Sequence, residues 1–217
     1  MERIGLGILA SGRGSNFQAI IDEIEAGRIP ASIKLLIVDN PEAFAVERAR
    51  KHSIAHLYLN PREFPTKDSY FVKIAEELKA RGVELVILAG FMRIVRKPLI
   101  EAFPNRIMNV HPALLPSFPG FHGQKQAVEY GTRISGCTVH FVDEGMDTGP
   151  VIIQAAVPVL PDDTEKTLSD RILKLEHRIF PEAIRLFAEG RLRIEGRIVK
   201  IDRHRPPDVY IVNPPLR

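Results

Sequence analysis

A chain of 217 residues, 45% hydrophobic and 26% charged, has the composition of a globular protein that buries a full core, which excludes disordered and fibrous classes. Thirty Lys and Arg against 27 Asp and Glu leave a formal charge of +3, without the broad basic stripe that nonspecific nucleic-acid binding requires. The one cysteine, Cys137, excludes an internal disulfide, and with no CxxC or Cys/His cluster no metal site is expected.

The first apolar run, IGLGILA (4–10), covers about seven residues and lacks a small-residue cleavage site after it, so neither a signal peptide nor a membrane span is expected. The chain therefore reads as cytoplasmic, with small-molecule rather than nucleic-acid or membrane partners. IGLGILA is a buried strand, and the amphipathic stretch 16–27 is a helix ending at a glycine. A strand over 32–39, a helix over 42–52 and a short strand over 55–59 follow. Residues 67–82 form a strong helix with apolar positions at 70, 71, 74, 75 and 78. Strand 83–90, a short helix near 97–102 and strand 105–111 complete a β-α alternation whose strands are apolar enough to be covered on both faces. The solution to that pattern is a three-layer, doubly wound, mostly parallel sheet, Rossmann-like in its N-terminal half.

Beyond residue 120 the pattern changes. A helix over 124–131 precedes strands 135–143 and 150–160, whose short link makes them an antiparallel pair. A long helix runs from Thr164, its N-cap, to about Glu189, and LRIEGRIVKID (192–202) is a hairpin turning at Glu195-Gly196. One domain is expected over 1–201: a phosphate-binding half (1–105), a catalytic half (106–201), then an irregular Pro-rich tail (202–217).

Three segments carry chemistry. SGRGSN (11–16) links the first strand to the first helix, where Gly12 and Gly14 permit a tight turn and helix N-terminal amides can meet a phosphate, helped by Ser15 and Asn16. With Asp39 closing the second strand this loop also resembles a dinucleotide fingerprint, the motif of an oxidoreductase. Phe17, at the third glycine position, opposes that reading because its bulk prevents close helix–strand contact. In NVHPALLPSFPG (109–120), Asn109 and His111 point the same way from an extended backbone, and Pro112, Pro116 and Pro119 keep the following loop out of a helix. DEGMDTGP (143–150) offers three carboxylates, Asp143, Glu144 and Asp147. A histidine with a carboxylate partner moves protons, and an adjacent Asn amide stabilises an oxyanion. LAGFMRIV (88–95) follows the strongest strand, and its backbone edge with Met92, Ile94 and Val95 suits a flat heterocycle.

Together, SGRGSN, ILAGFMRIV, NVHPALLPSFPG, SGCTVHFVDEGMDTGPVI and LEHRIFP, in this order and spacing, resemble the glycinamide ribonucleotide transformylase family over nearly the whole chain. The resemblance implies the formyltransferase fold and formyl transfer from 10-formyltetrahydrofolate to glycinamide ribonucleotide in purine biosynthesis, without a metal, by a monomer or homodimer. It implies that Asn109, His111 and Asp147 are catalytic, that Gly14, Ser15 and Asn16 hold the ribonucleotide phosphate, and that Glu176 faces the glycinamide. It places the folate against Met92, Arg93, Ile94, Val95 and Asn109, with Lys67 near its glutamate tail, and a cis bond at Leu115-Pro116. A formyltetrahydrofolate hydrolase or another formyltransferase of the same group remains the alternative.

Overall fold

The structure, a computed structural model, describes residues 3–203 and Asn213. The expected irregular tail over 202–217 falls almost wholly outside the described residues.

The nine strands of the described residues join one sheet in the order β3-β2-β1-β4-β5-β6-β7-β9-β8. Strands β1 (Ile4–Ala10), β2 (Ala31–Val38), β3 (His56–Tyr58), β4 (Leu85–Leu88) and β5 (Ile107–His111) are mutually parallel, as the β-α alternation requires. β6 (Ile134–Phe141) is antiparallel to β5, and β7 (Val151–Pro158) is antiparallel to β6. The hairpin of β8 (Leu192–Glu195) and β9 (Ile198–Ile201) extends the same sheet, β9 running parallel to β7. The fold expected from the sequence is the fold observed.

The central strands have no polar face because both faces are covered. In β1, Leu6, Ile8 and Ala10 point into one core while Leu9 points into the other; β2 and β4 divide in the same way. One layer contains α1 (Ser15–Glu25), α2 (Ala45–Lys51) and the C-terminal half of α6 (Glu165–Ala188), through Phe17, Ala49, Phe180 and Ile184. The other contains α3 (Lys67–Ala80) and α4 (Lys97–Ala102), through Tyr70, Phe71, Ile74, Leu78 and Leu99. The five apolar positions of α3 read from the sequence are its five buried residues. Gly7 lets α3 approach β1 closely, since a Cβ there would lie 2.5 Å from Leu78 Cδ2. A third cluster joins α5 (Gly123–Tyr130) to β6, β7 and the start of α6.

Two helix starts show how local chemistry sets boundaries. α2 begins at Ala45 rather than 42, because Asn40 accepts the Glu42 amide on its side chain (3.0 Å) and the Ala43 amide on its carbonyl (3.2 Å), a turn that competes with helix. Thr164 caps α6 as expected: its Oγ1 accepts the Thr167 amide, and Thr167 Oγ1 accepts the Thr164 amide. Thr164→Ala is expected to lower unfolding free energy by about 1 kcal/mol, measured by urea denaturation. An unchanged midpoint would show that the cap does not hold the helix.

Candidate active site

The carboxyl ends of β1, β4 and β5 meet at one edge of the sheet, where an α/β fold places its ligands. A cavity of about 410 Å³ opens there, lined by the β4–α4 loop, the end of β5, the loop after it and the loop between β6 and β7. Asn109, His111 and Asp147 line it together with Met92, Arg93, Ile94 and Val95.

Antiparallel pairing of β5 with β6 sets Asn109 opposite His140 and His111 opposite Thr138, so four polar side chains share one face of the two strands. Motif reading of the sequence does not single out His140. The signal it offers is a polar residue at every second position (Thr138, His140) of a buried run. Its Nδ1 donates to the Phe141 carbonyl at 2.8 Å, which leaves Nε2 to accept from Asn109 Nδ2 at 3.2 Å. One Asn109 amide proton remains for the cavity.

His111 is 3% exposed, with Nε2 donating to the Phe118 carbonyl (2.8 Å) and Nδ1 3.4 Å from Asp147 Oδ2. Burial pushes its pKa below the ordinary histidine value, and the attraction of Asp147 only partly opposes this. The expectation that the carboxylate favours imidazolium identifies a real contribution. Desolvation of the buried ring outweighs it, which shifts His111 toward its neutral form. Burial alone would raise the Asp147 carboxyl, but the charge that His140 and His111 carry when protonated, with the hydrogen bond from the Gly120 amide (2.7 Å), holds it below the usual range.

Two of the three carboxylates of residues 143–147, Asp147 and Asp143, take different places. Asp147, at φ 55°, turns inward between the two histidines, 3.6 Å from His140 Nε2. Asp143 accepts from Thr148 Oγ1 (2.6 Å) and the Gly145 amide (3.1 Å), which makes it the turn residue. The loop after β5 is pinned from below. Thr138 Oγ1 donates to the Ala113 carbonyl (2.7 Å) and accepts the Leu115 amide (3.0 Å), while Gln154 Nε2 donates to the Leu115 carbonyl (2.9 Å). The Leu115-Pro116 bond is cis.

Gly14, Ser15, Asn16 and Glu176 are not among the cavity's lining residues; they form a neighbouring cluster. Asn16 Nδ2 donates to Glu176 Oε2 at 2.8 Å, both side chains being buried, and burial raises the Glu176 pKa against that bond. Glu176 also acts electrostatically on Cys137 of β6, next in sequence to the residue paired with His111. On the other side, Ser11 Oγ accepts the Met92 amide (2.9 Å), tying the β1–α1 loop to the cavity's wall. No side chain among the described residues caps α1, and its first intrahelical bond runs from the Gln18 amide to the Gly14 carbonyl, so the amides of Ser15, Asn16 and Phe17 precede the helical ladder. Arg48 Nε braces the loop at the Arg13 carbonyl (3.0 Å).

Gly14 is required for a reason the sequence does not display. It has φ +66°, and a Cβ there would lie 2.9 Å from Ala45 Cβ at the start of α2. Gly14→Val is expected to lower unfolding free energy by about 2 kcal/mol or more, from left-handed strain and overlap. A thermal melt matching wild type would contradict this packing. Lys67 is the first residue of α3 and is not among the cavity's lining residues; the nearby link to the β4–α4 loop is the Asp68–Arg96 pair at 3.0 Å.

The fold and its cavity are those of an α/β enzyme with its site at the carboxyl edge of the sheet. The chain belongs to the formyl transferase family, whose sequence profile matches residues 6–184. It is 39% identical over 204 residues to the phosphoribosylglycinamide formyltransferase of Escherichia coli, covering 94% of this chain and 96% of that one. It is 46% identical over 204 residues to the trifunctional purine biosynthetic protein adenosine-3 of Drosophila pseudoobscura pseudoobscura, covering 93% of this chain but 15% of that protein's length. Among solved structures it is similar to glycinamide ribonucleotide transformylase 1 from Symbiobacterium toebii, with TM-score 0.91, 54% identity and coverage of 92% and 94% of the two chains.

Proposed function

We propose that this protein transfers the formyl group of 10-formyltetrahydrofolate to the amine of glycinamide ribonucleotide, in purine biosynthesis. The observation that carries the reading is the convergence of Asn109, His111 and Asp147 on one cavity, beside a separate phosphate-type helix N-terminus. Similarity to phosphoribosylglycinamide formyltransferases over nearly the full length of both chains supports it.

The ribonucleotide's phosphate would sit on the amides of Ser15 and Asn16 at the start of α1, where amides and helix dipole favour an anion. Glu176, oriented by Asn16, faces the glycinamide. The folate's flat ring lies against the backbone and side chains of Met92, Arg93, Ile94 and Val95, with the formyl group reaching Asn109. The amine nitrogen attacks the formyl carbon, giving a tetrahedral oxyanion. The Asn109 amide donates to that oxygen, and His111 takes up on Nδ1 the proton released by the attacking amine, so that the imidazolium stabilises the negative charge beside it. Asp147 holds the ring and favours its cation. Collapse breaks the bond from carbon to N10, and the amine's proton passes to N10 as tetrahydrofolate leaves. The dinucleotide alternative is disfavoured: Phe17 is fully buried between helix and sheet, and the Asp39 carboxylate is occupied by Arg93.

A spectrophotometric assay of tetrahydrofolate formation tests this. Product is expected only when glycinamide ribonucleotide is present. Release without any acceptor would support the hydrolase, and no release with either would end the formyl-transfer reading.

A further inference from the structure

Arg93 is the only Lys or Arg among the described residues lining the cavity, and it is held from behind. Its Nε donates to Asp39 Oδ2 at 2.5 Å. Asp39 follows β2 and Arg93 follows β4, so the pair reaches across the end of β1, which lies between them. The Asp39 side chain is 6% exposed and that of Arg93 42%: a sunken carboxylate carries an emergent guanidinium. Asp39 Oδ1 and the Tyr70 hydroxyl are both buried, and neither has a hydrogen-bond partner among the described residues. Burial, followed by the charge of Asp39, raises the Tyr70 pKa, so the phenol stays neutral beside the pair.

An exposed ion pair contributes little because two long side chains must be ordered against water. Here Asp39 is already fixed by packing, and only the arginine has to be ordered. An arginine bound through Nε keeps Nη1 and Nη2, the edge that matches a carboxylate with two parallel N–H donors. Folate joins a flat pterin at one end to a glutamyl dicarboxylate at the other. With the formyl group at Asn109, the charged end must leave through the open rim, where Arg93 is the lining's one permanent cation.

We propose that Asp39 is a positioning residue that holds Arg93 with its outer edge toward the cavity mouth, so that it receives the glutamyl carboxylates of the folate. The inference rests on the function proposed above. It assigns discrimination between tailed and tailless pterins to a buried carboxylate that touches neither ligand.

The test is calorimetric binding of tetrahydrofolate and of tetrahydropteroate, which lacks the glutamyl group, to wild type, Asp39→Ala and Asp39→Asn. Wild type is expected to prefer tetrahydrofolate at least tenfold. Asp39→Ala should weaken tetrahydrofolate about tenfold, leaving tetrahydropteroate and glycinamide ribonucleotide within twofold. Asp39→Asn, which keeps the shape and one acceptor oxygen, should lose about threefold on tetrahydrofolate alone, and it decides the matter if the alanine variant does not fold. Arg93→Ala should reproduce the tail-dependent loss, with no further loss when combined with Asp39→Ala. Equal weakening of both pterins, unchanged binding, or tighter tetrahydrofolate binding in the variants would each overturn the proposal. A wild type that binds neither pterin would instead overturn the formyl-transfer reading itself.

Discussion

Asp147→Asn is expected to lower kcat by about a hundred- to a thousandfold, the range of a positioned proton-transfer group, with ribonucleotide affinity within a few-fold of wild type. Asn keeps the side chain's shape and an oxygen for the Gly120 amide, so the loop between β6 and β7 should stay in place. What is lost is the charge facing His111 Nδ1 at 3.4 Å. The same variant has a titration signature. The His111 pKa already lies below its ordinary value because of burial, and Asp147 is the largest influence pulling it back up. Removing that anion must therefore move the pKa further down, and NMR of the ring across acid pH should show a lower midpoint than wild type. Both groups have folded pKa values below their unfolded ones. Their contribution to stability is thus complete above those unfolded values and lost as pH falls, first for His111 and then for Asp147. Wild-type turnover in the variant would leave Asp147 as a structural anchor for Gly120.

Asn109→Ala is expected to cost about a hundred- to a thousandfold in kcat, the usual effect of deleting one oxyanion donor, with little change in KM for either substrate. The amide acts where charge develops, so it discriminates transition state from ground state. A second consequence follows from the pairing across β5 and β6. Asn109 Nδ2 is the donor to His140 Nε2, so the alanine variant leaves a buried ring nitrogen unsatisfied and should lose about 1 kcal/mol of stability or more. Steady-state kinetics and a urea melt on the same preparation separate the two effects. A KM effect with normal kcat would place Asn109 in substrate binding alone.

Much of the fold and part of the site are legible in the sequence. The apolar runs that form β1, β2 and β4 are buried on both faces, and a strand with no polar face signals a covered parallel sheet. The apolar spacing in α3 matches its buried face residue for residue, and Thr164 marks the start of α6. Asn109 and His111 share a face because their separation is two in an extended chain. Where local pattern misleads or is silent, neighbours distant in sequence decide. Residues 143–147 hold three carboxylates whose local chemistry is nearly alike, and only the fold sends Asp147 to the histidines and Asp143 to its own loop. By motif, Gly14 is a concession to a phosphate, yet its own conformation and the proximity of Ala45 already require a glycine. The sign of the His111 shift also depends on burial by the loop after β5, whose depth no motif specifies.

The order of elements, the mixed sheet, the caps, the polar pair on β5 and the family are thus written in the chain itself, because periodicity, capping and motif spacing are short-range properties carried by adjacent residues. Which groups meet is settled only on folding: His140 with Asn109 and Asp147, Asn16 with Glu176, and Asp39 with Arg93. Those pairings join side chains seven to 160 residues apart. Their distances, protonation and exposure follow from how the sheet's edge is packed and closed, and that depends on the whole chain at once.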